Sequence, residues 1–166
     1  VEASLSPKRD ALLDAADRLF QRDGFRATGI DTIIAEAGVA KMTLYKHFAS
    51  KDGLIVAVLS RRSERMIDAL ERRVAELSPD HAGRLLAVFD AQREACGDPA
   101  FRGCLFQRAA GEYADHADPV HQAAAHHARL MNALFVRYAV AAGAADPASL
   151  AAYAELLYAG AANTSL

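Results

Sequence analysis

The chain has 166 residues, 52% of them hydrophobic, and carries 19 Lys or Arg against 21 Asp or Glu for a formal net charge of −2. This suits one globular domain or two small ones with a packed core, and it excludes a disordered polyelectrolyte. No apolar run reaches the roughly 18 residues of a membrane span, and Val1 to Asp10 lack the charged-then-apolar order of a secretory signal, so no membrane partner and a cytoplasmic location are expected.

The charge is unevenly placed. Residues 1–51 hold eight Lys or Arg against seven acids, whereas residues 52–166 hold eleven against fourteen. The N-terminal part is the side that tolerates a polyanion, and the acidic remainder repels one. Five prolines each follow a Ser or Asp, at Ser6-Pro7, Ser78-Pro79, Asp98-Pro99, Asp118-Pro119 and Asp146-Pro147. Each pair reads as an N-cap followed by the first helical position, because the side-chain oxygen accepts from an early backbone N–H and proline has none to leave unpaired. Helices are therefore expected from about residues 7, 79, 119 and 147, with Asp98-Pro99 a turn before a short helix from about Gly103 to Ala114. No segment alternates like a strand.

The first helix, Pro7 to Arg22, buries Leu12, Ala15, Ala16, Leu19 and Phe20 at helical spacing and ends at Gly24, after which Phe25 packs under the next two helices. From Thr28 to Lys51 the sequence TGIDTIIAEAGVAKMTLYKHFASK specifies those two short helices around one glycine. Ile30, Ile33, Ile34 and Ala37 share a face of the first, Ile30 to Ala37, and Gly38 supplies its left-handed end. Val39 fills the corner. The second helix, about Lys41 to Phe48, buries Leu44 and Phe48 and turns Lys41, Met42, Thr43, Tyr45, Lys46 and His47 outward or to its flanks. This is a helix-turn-helix.

Between Glu36 and Asp52 there is no acid, while Lys41, Lys46, Lys51 and His47 fall there with the hydroxyls of Thr43, Tyr45 and Ser50. Cations and hydroxyls position a phosphate backbone, and side chains near the start of the second helix reach base edges. The candidate DNA-binding residues are Thr28, Lys41, Met42, Thr43, Tyr45, Lys46, His47 and Lys51. Thr43, Tyr45, His47 and Lys51 are assigned to the backbone, with Lys41, Met42 and Thr43 nearest the bases. The bland alternative is a solvated face on an ordinary helical hairpin.

A long helix, about Lys51 to Leu77, continues with Leu54, Ile55, Val58, Leu59, Met66, Leu70, Val74 and Leu77 at helical spacing, and is the only continuous element joining the motif to the rest. Its Arg61, Arg62 and Arg65 interleave with Glu64, Asp68, Glu71 and Glu76, as on a solvated face. The later helices carry Leu85, Leu86, Val88, Phe89, Phe101, Leu105, Phe106, Tyr113, Val120, His127, Leu130, Met131, Leu134, Phe135, Tyr138, Leu150, Tyr153, Leu157 and Tyr158 as an all-helical core. Ala and Gly dominate residues 139–162, which lets helices approach closely, within a subunit or between two. Cys96 and Cys104, without CxxC spacing, read as reduced thiols.

No metal or cofactor is expected. Glu112 and His116 can share a helix face, but Asp118-Pro119 breaks the helix before His121, and His126 and His127 diverge as neighbours. An all-helical enzyme using Cys104, His127 or Glu112 is the alternative function, although no nucleophile, base and orienting acid stand at recognisable spacing. A helical adaptor that binds only protein leaves the basic, hydroxyl-rich second helix without a purpose.

Residues Gly24 to Leu54 resemble the N-terminal signature of the tetracycline-repressor (TetR) family of bacterial regulators, through Gly24-Phe25, Thr28, Ala37-Gly38-Val39, Thr43-Leu44-Tyr45, His47-Phe48 and Ser50-Lys51. Gly29 and Ala40 depart from the Ser or Thr usual at the two helix starts, and Met42 replaces a residue that is often small. The resemblance implies an all-α fold, with a three-helix helix-turn-helix domain at 1–51 and a helical ligand-binding and dimerisation domain at 52–166. It also implies a homodimer on a palindromic operator, most simply a repressor released by a small-molecule effector. Phe89, Cys104, Phe106, Tyr113, His127, Met131 and Phe135 are its pocket candidates. The family's last two long helices pair with a second subunit, and a final helix beyond Leu166 is expected to be lacking here.

Overall fold

The computed structural model describes residues 6–164, and within them the chain is all-α. The expectations for Val1 to Asp10 and for the chain end at Leu166 rest in part on residues 1–5 and 165–166, outside the described residues. The helices are α1 (Pro7–Asp23), α2 (Ile30–Ala37), α3 (Lys41–His47), α4 (Lys51–Leu77), α5 (Arg84–Cys96), α6 (Leu105–Glu112), α7 (Pro119–Ala141) and α8 (Pro147–Thr164). They form two compact units: Val1–Arg62 with Leu105–Ala125, and Ser63–Cys104 with His126–Leu166. In this division by packing α6 and the start of α7 belong with the N-terminal helices. Both α4 and α7 supply residues to each unit.

The first unit is built on α1. Its Leu12, Leu13, Ala15, Ala16, Leu19 and Phe20 are buried, and Phe25, fully buried, sets its ring 5.0 Å from that of Phe20. Ile33 of α2 and Leu44 of α3 close the core from the other side. The turn between α2 and α3 has the form expected: Gly38 is left-handed at φ 64°, its N–H donates to Ala35 O, and Val39 N–H donates to Ile34 O. This pair of bonds satisfies the last carbonyls of α2. Ser50 Oγ accepts from Gly53 N–H at 3.0 Å and starts α4.

Arg61 and Arg62 are not on a solvated face as expected. Arg61 bonds Asp14 at 2.7 Å with Asp10 at 3.8 Å, and Arg62 bonds Asp17 at 2.7 Å, so both arginines join α4 to α1. Their partners lie 47 and 45 residues away, beyond any local charge pattern.

In the second unit, Leu70, Val74, Val88, Met131, Leu134 and Phe135 pack as one cluster with Ala151 and Ala154 of α8. Five core expectations fail here: Leu86 of α5, Leu130 of α7 and Leu150, Tyr153 and Leu157 of α8 are exposed. The small residues Ala151 and Ala154 turn inward instead, so the larger apolar side chains point out. Of the proline starts, Asp118 and Asp146 cap as expected, accepting from Val120 N–H at 2.7 Å and Ser149 N–H at 3.1 Å. Ser6 makes no side-chain cap. Pro79 does not open a helix: Ser78 Oγ donates to Asp80 O, Asp80 accepts from Ala82 N–H, and this closed turn delays α5 to Arg84.

Candidate nucleic-acid interface

α3 is a seven-residue helix held from beneath. Leu44 is fully buried and Phe48 nearly so, with the Arg9 guanidinium 5.5 Å from the Phe48 ring centre. With those two side chains inward, helical spacing turns Met42 (78% exposed), Tyr45 (46% exposed), Lys46 and Lys41 to solvent, with Thr43 and His47 half-buried at the flanks. Lys51, at the first position of α4, is half-buried, and its Nζ lies 3.5 Å from Arg26 O. Gly29 and Ala40 start their helices in extended conformation and provide no side-chain cap, so those two N-termini keep backbone donors that a hydroxyl would have met.

Two candidates have partners that the sequence did not show. Thr28 is 2% exposed and its hydroxyl donates to Gly24 O at 2.7 Å, within the unit, so its side chain lies off the outer face. Lys41 is exposed but ion-paired with Asp31 of α2 at 3.0 Å, and this hydrogen bond holds its ammonium above the ordinary lysine range. The acid-free stretch from Glu36 to Asp52 hides this partner, which comes from ten residues upstream.

A feature that sequence reasoning missed lies at the α1–α2 corner. Arg108 and Glu112, one helical turn apart on α6, both reach it: Arg108 donates to Phe20 O and Gln21 O at 3.2 and 3.0 Å, and Glu112 accepts from Phe25 N–H and Arg26 N–H at 3.1 and 2.7 Å. Arg26 returns two bonds to Glu112 O, at 3.0 and 2.7 Å, and its guanidinium lies 5.4 Å from the Tyr113 ring centre. Tyr113 also donates to Asp52 at 3.3 Å, and burial with the nearby Asp52 charge pushes its hydroxyl up to about 12. The sequence signal was the i, i+4 pair on α6, which names no partner.

The pocket candidates are divided between the two units. Phe106 and Tyr113 belong to the first unit, whereas Phe89, Cys104, His127, Met131 and Phe135 belong to the second. Phe135 and Met131 are core residues, and Phe89 alone of the seven lines a groove of about 370 Å³, with Gln92, Arg93, Cys96, Gly97 and Ala161. Gln92 is held there by its bond to Tyr158 O at 2.6 Å. Among the described residues no three His, Cys, Asp or Glu are placed to hold a metal ion. His116 and His121 nevertheless meet across the helix break, stacked at 4.5 Å, and His121 Nδ1 donates to Tyr113 O at 2.8 Å.

An all-helical chain with an N-terminal helix-turn-helix whose second helix is bare on its outer face defines a transcription-regulator architecture. Comparison with known proteins makes this specific. Residues 12–58 match the model of bacterial regulatory proteins of the tetR family. The chain is 34% identical to the structure of SCO4454, a TetR-family transcriptional regulator from Streptomyces coelicolor, with a TM-score of 0.88 over 96% of this chain and 84% of that one. Curated relatives include the transcriptional activator FasR of Mycolicibacterium smegmatis, 38% identical over 84 residues, which are 51% of this chain and 38% of that protein. Another is the transcriptional repressor ComR of Escherichia coli, 42% identical over 57 residues, 34% of this chain and 27% of that protein. The matched stretches thus span less than half the length of these curated relatives. The chain belongs to the TetR family. Its relatives are transcriptional regulators and not enzymes, which sets aside the alternative built on Cys104, His127 or Glu112. In the structure Glu112 lies in the first unit and the other two in the second, and the Glu112 carboxylate is engaged by backbone amides.

Proposed function

We propose that the protein is a sequence-specific DNA-binding transcriptional regulator, acting in the cytoplasm as a homodimer on a palindromic operator and released from it by a small-molecule effector. Residues 1–51 serve as the DNA-binding domain and residues 52–166 as the effector and dimerisation part. The observation that carries this reading is α3, anchored inward by Leu44 and Phe48 while Met42, Tyr45 and Lys46 project from its exposed face. Thr43, Tyr45, His47 and Lys51 meet the phosphate backbone, and Lys41 and Met42 lie nearest to base edges. An exposed methionine offers only apolar contact, which favours a thymine methyl in the major groove. Release by an effector makes the regulator a repressor. Its effector site lies among the α5 and α8 residues that form the groove of Phe89 and Ala161.

The test is DNA affinity as a function of salt, on duplexes selected from a random-sequence library. A steep fall in log affinity with log salt is expected, and Lys51→Ala weakens all sequences alike and flattens the slope by about one. A slope near zero for the wild type rejects DNA binding. A Lys51→Ala slope equal to the wild type rejects the assignment of Lys51.

A further inference from the structure

The contacts of Glu112 suggest more than a tie between helices. Gly24 ends α1 at φ 88° and ψ 171°, a conformation that only glycine enters readily. This leaves the next two amides, of Phe25 and Arg26, aimed at one carboxylate. A Cβ at Gly24 would stand 2.9 Å from Glu112 Oε1, so the missing side chain also makes room for the carboxylate. Arg108 meets the opposite charge, since its guanidinium sits on the last carbonyls of α1, the negative end of that helix. One face of α6 therefore caps both the C-terminus of α1 and the start of the loop into α2. Both ends of the 105–125 segment that carries this face continue into the second unit.

We infer that Glu112, supported by Arg108, is a positioning residue for DNA recognition: it fixes the α1–α2 corner, and with it α2 and α3, in the arrangement that fits the operator. This rests on the reading of the protein as a DNA-binding regulator. Neither residue touches DNA in this assignment. Both act through the corner, so the state of α6 is transmitted to the helix-turn-helix without passing along α4. The bonds are charge-assisted and directional, and a carboxylate offers a separate, purely accepting oxygen to each of the two amides.

The experiment uses the full chain and a duplex selected by the wild type. Glu112→Gln keeps the shape but places an NH2 against one of the two amides, donor facing donor. Hydrogen exchange at Phe25 and Arg26 is expected to speed up, and duplex affinity to fall about tenfold, within the usual range of coupling between sites. The salt slope stays that of the wild type, because no phosphate contact is lost. Both measurements are made well below the unfolding temperature of the variant, so a merely structural tie moves the melting curve and leaves affinity alone. Arg108→Met is the second variant, should Glu112→Gln fail to fold, and a several-fold loss at unchanged slope is expected of it. Wild-type affinity in a folded variant whose corner amides exchange faster overturns the inference, and so does a flattened slope, which makes the residue a phosphate contact. Absence of duplex binding by the wild type refutes the regulator reading itself, a result distinct from either.

Discussion

His127 is 5% exposed, its Nδ1 lies 2.8 Å from Ser63 Oγ, and burial, with His126 nearby, pushes its imidazole down to about 4. In the unfolded chain a histidine titrates near 6.5. Above that pH both states are neutral here and the residue has no pH-dependent effect. Below it the unfolded chain takes up a proton that the folded chain refuses, so stability declines as pH falls from about 6.5 to about 4 and then levels. The loss attributable to this residue is of order 3 kcal/mol at most. Urea midpoints measured at about pH 7 and about pH 5 are expected to differ less in His127→Gln than in the wild type, and an equal difference removes His127 as the cause. Thr28 makes the complementary point at this scale. A hydroxyl suited by type to a phosphate is spent on Gly24 O, and only its burial reveals it.

α3 shows how one short helix divides two tasks between its faces. Leu44 fills the core between α1 and α2, so Leu44→Ala opens a cavity and is expected to cost about 2–5 kcal/mol, measured as a shift in urea midpoint. Met42, two residues earlier and 78% exposed, contributes little to folding. Met42→Ala is expected to leave the midpoint within about 0.5 kcal/mol and to change the sequences recovered in operator selection, with loss of preference for thymine at one position of each half-site. A large stability loss with unchanged base preference in Met42→Ala contradicts this division. Periodicity already placed Leu44 inward. The Asp31 carboxylate on Lys41 lies outside any periodicity argument, and it neutralises part of the charge assigned to this face.

For the whole molecule, symmetry and coupling remain. α8 turns Tyr153, Leu156 and Leu157 to solvent at 65–70% exposure, a contiguous apolar stripe that the described residues leave uncovered. On the proposed reading this stripe joins two copies, and two copies of α3 one helical turn apart or a multiple of it require a palindromic operator. Replacing Leu156 and Leu157 together by Asp is expected to give a monomer in sedimentation and at least about a tenfold loss of operator affinity, because the second half-site no longer adds to the first. A variant that stays dimeric places the interface elsewhere. Coupling has several routes: α7 as well as α4 runs from one unit to the other, and α6 is bonded to the corner before the helix-turn-helix.

What the sequence determined by itself is local. The spacing of Leu12 to Phe20, the left-handed Gly38, the start of α4 after Ser50 and the caps at Asp118 and Asp146 each follow from backbone preference and side-chain reach within a turn or two. That was enough for most of the helices, the helix-turn-helix and the family signature, although not for the start of α5 at Arg84. The tertiary structure decided which charges meet and which apolar faces close. Glu112 finds amides 86 and 87 residues away, and Arg61 and Arg62 find acids on α1. Leu157 faces outward while Ala154 faces in. These outcomes depend on how helices are placed against one another, and a side chain's sequence neighbours carry no record of that.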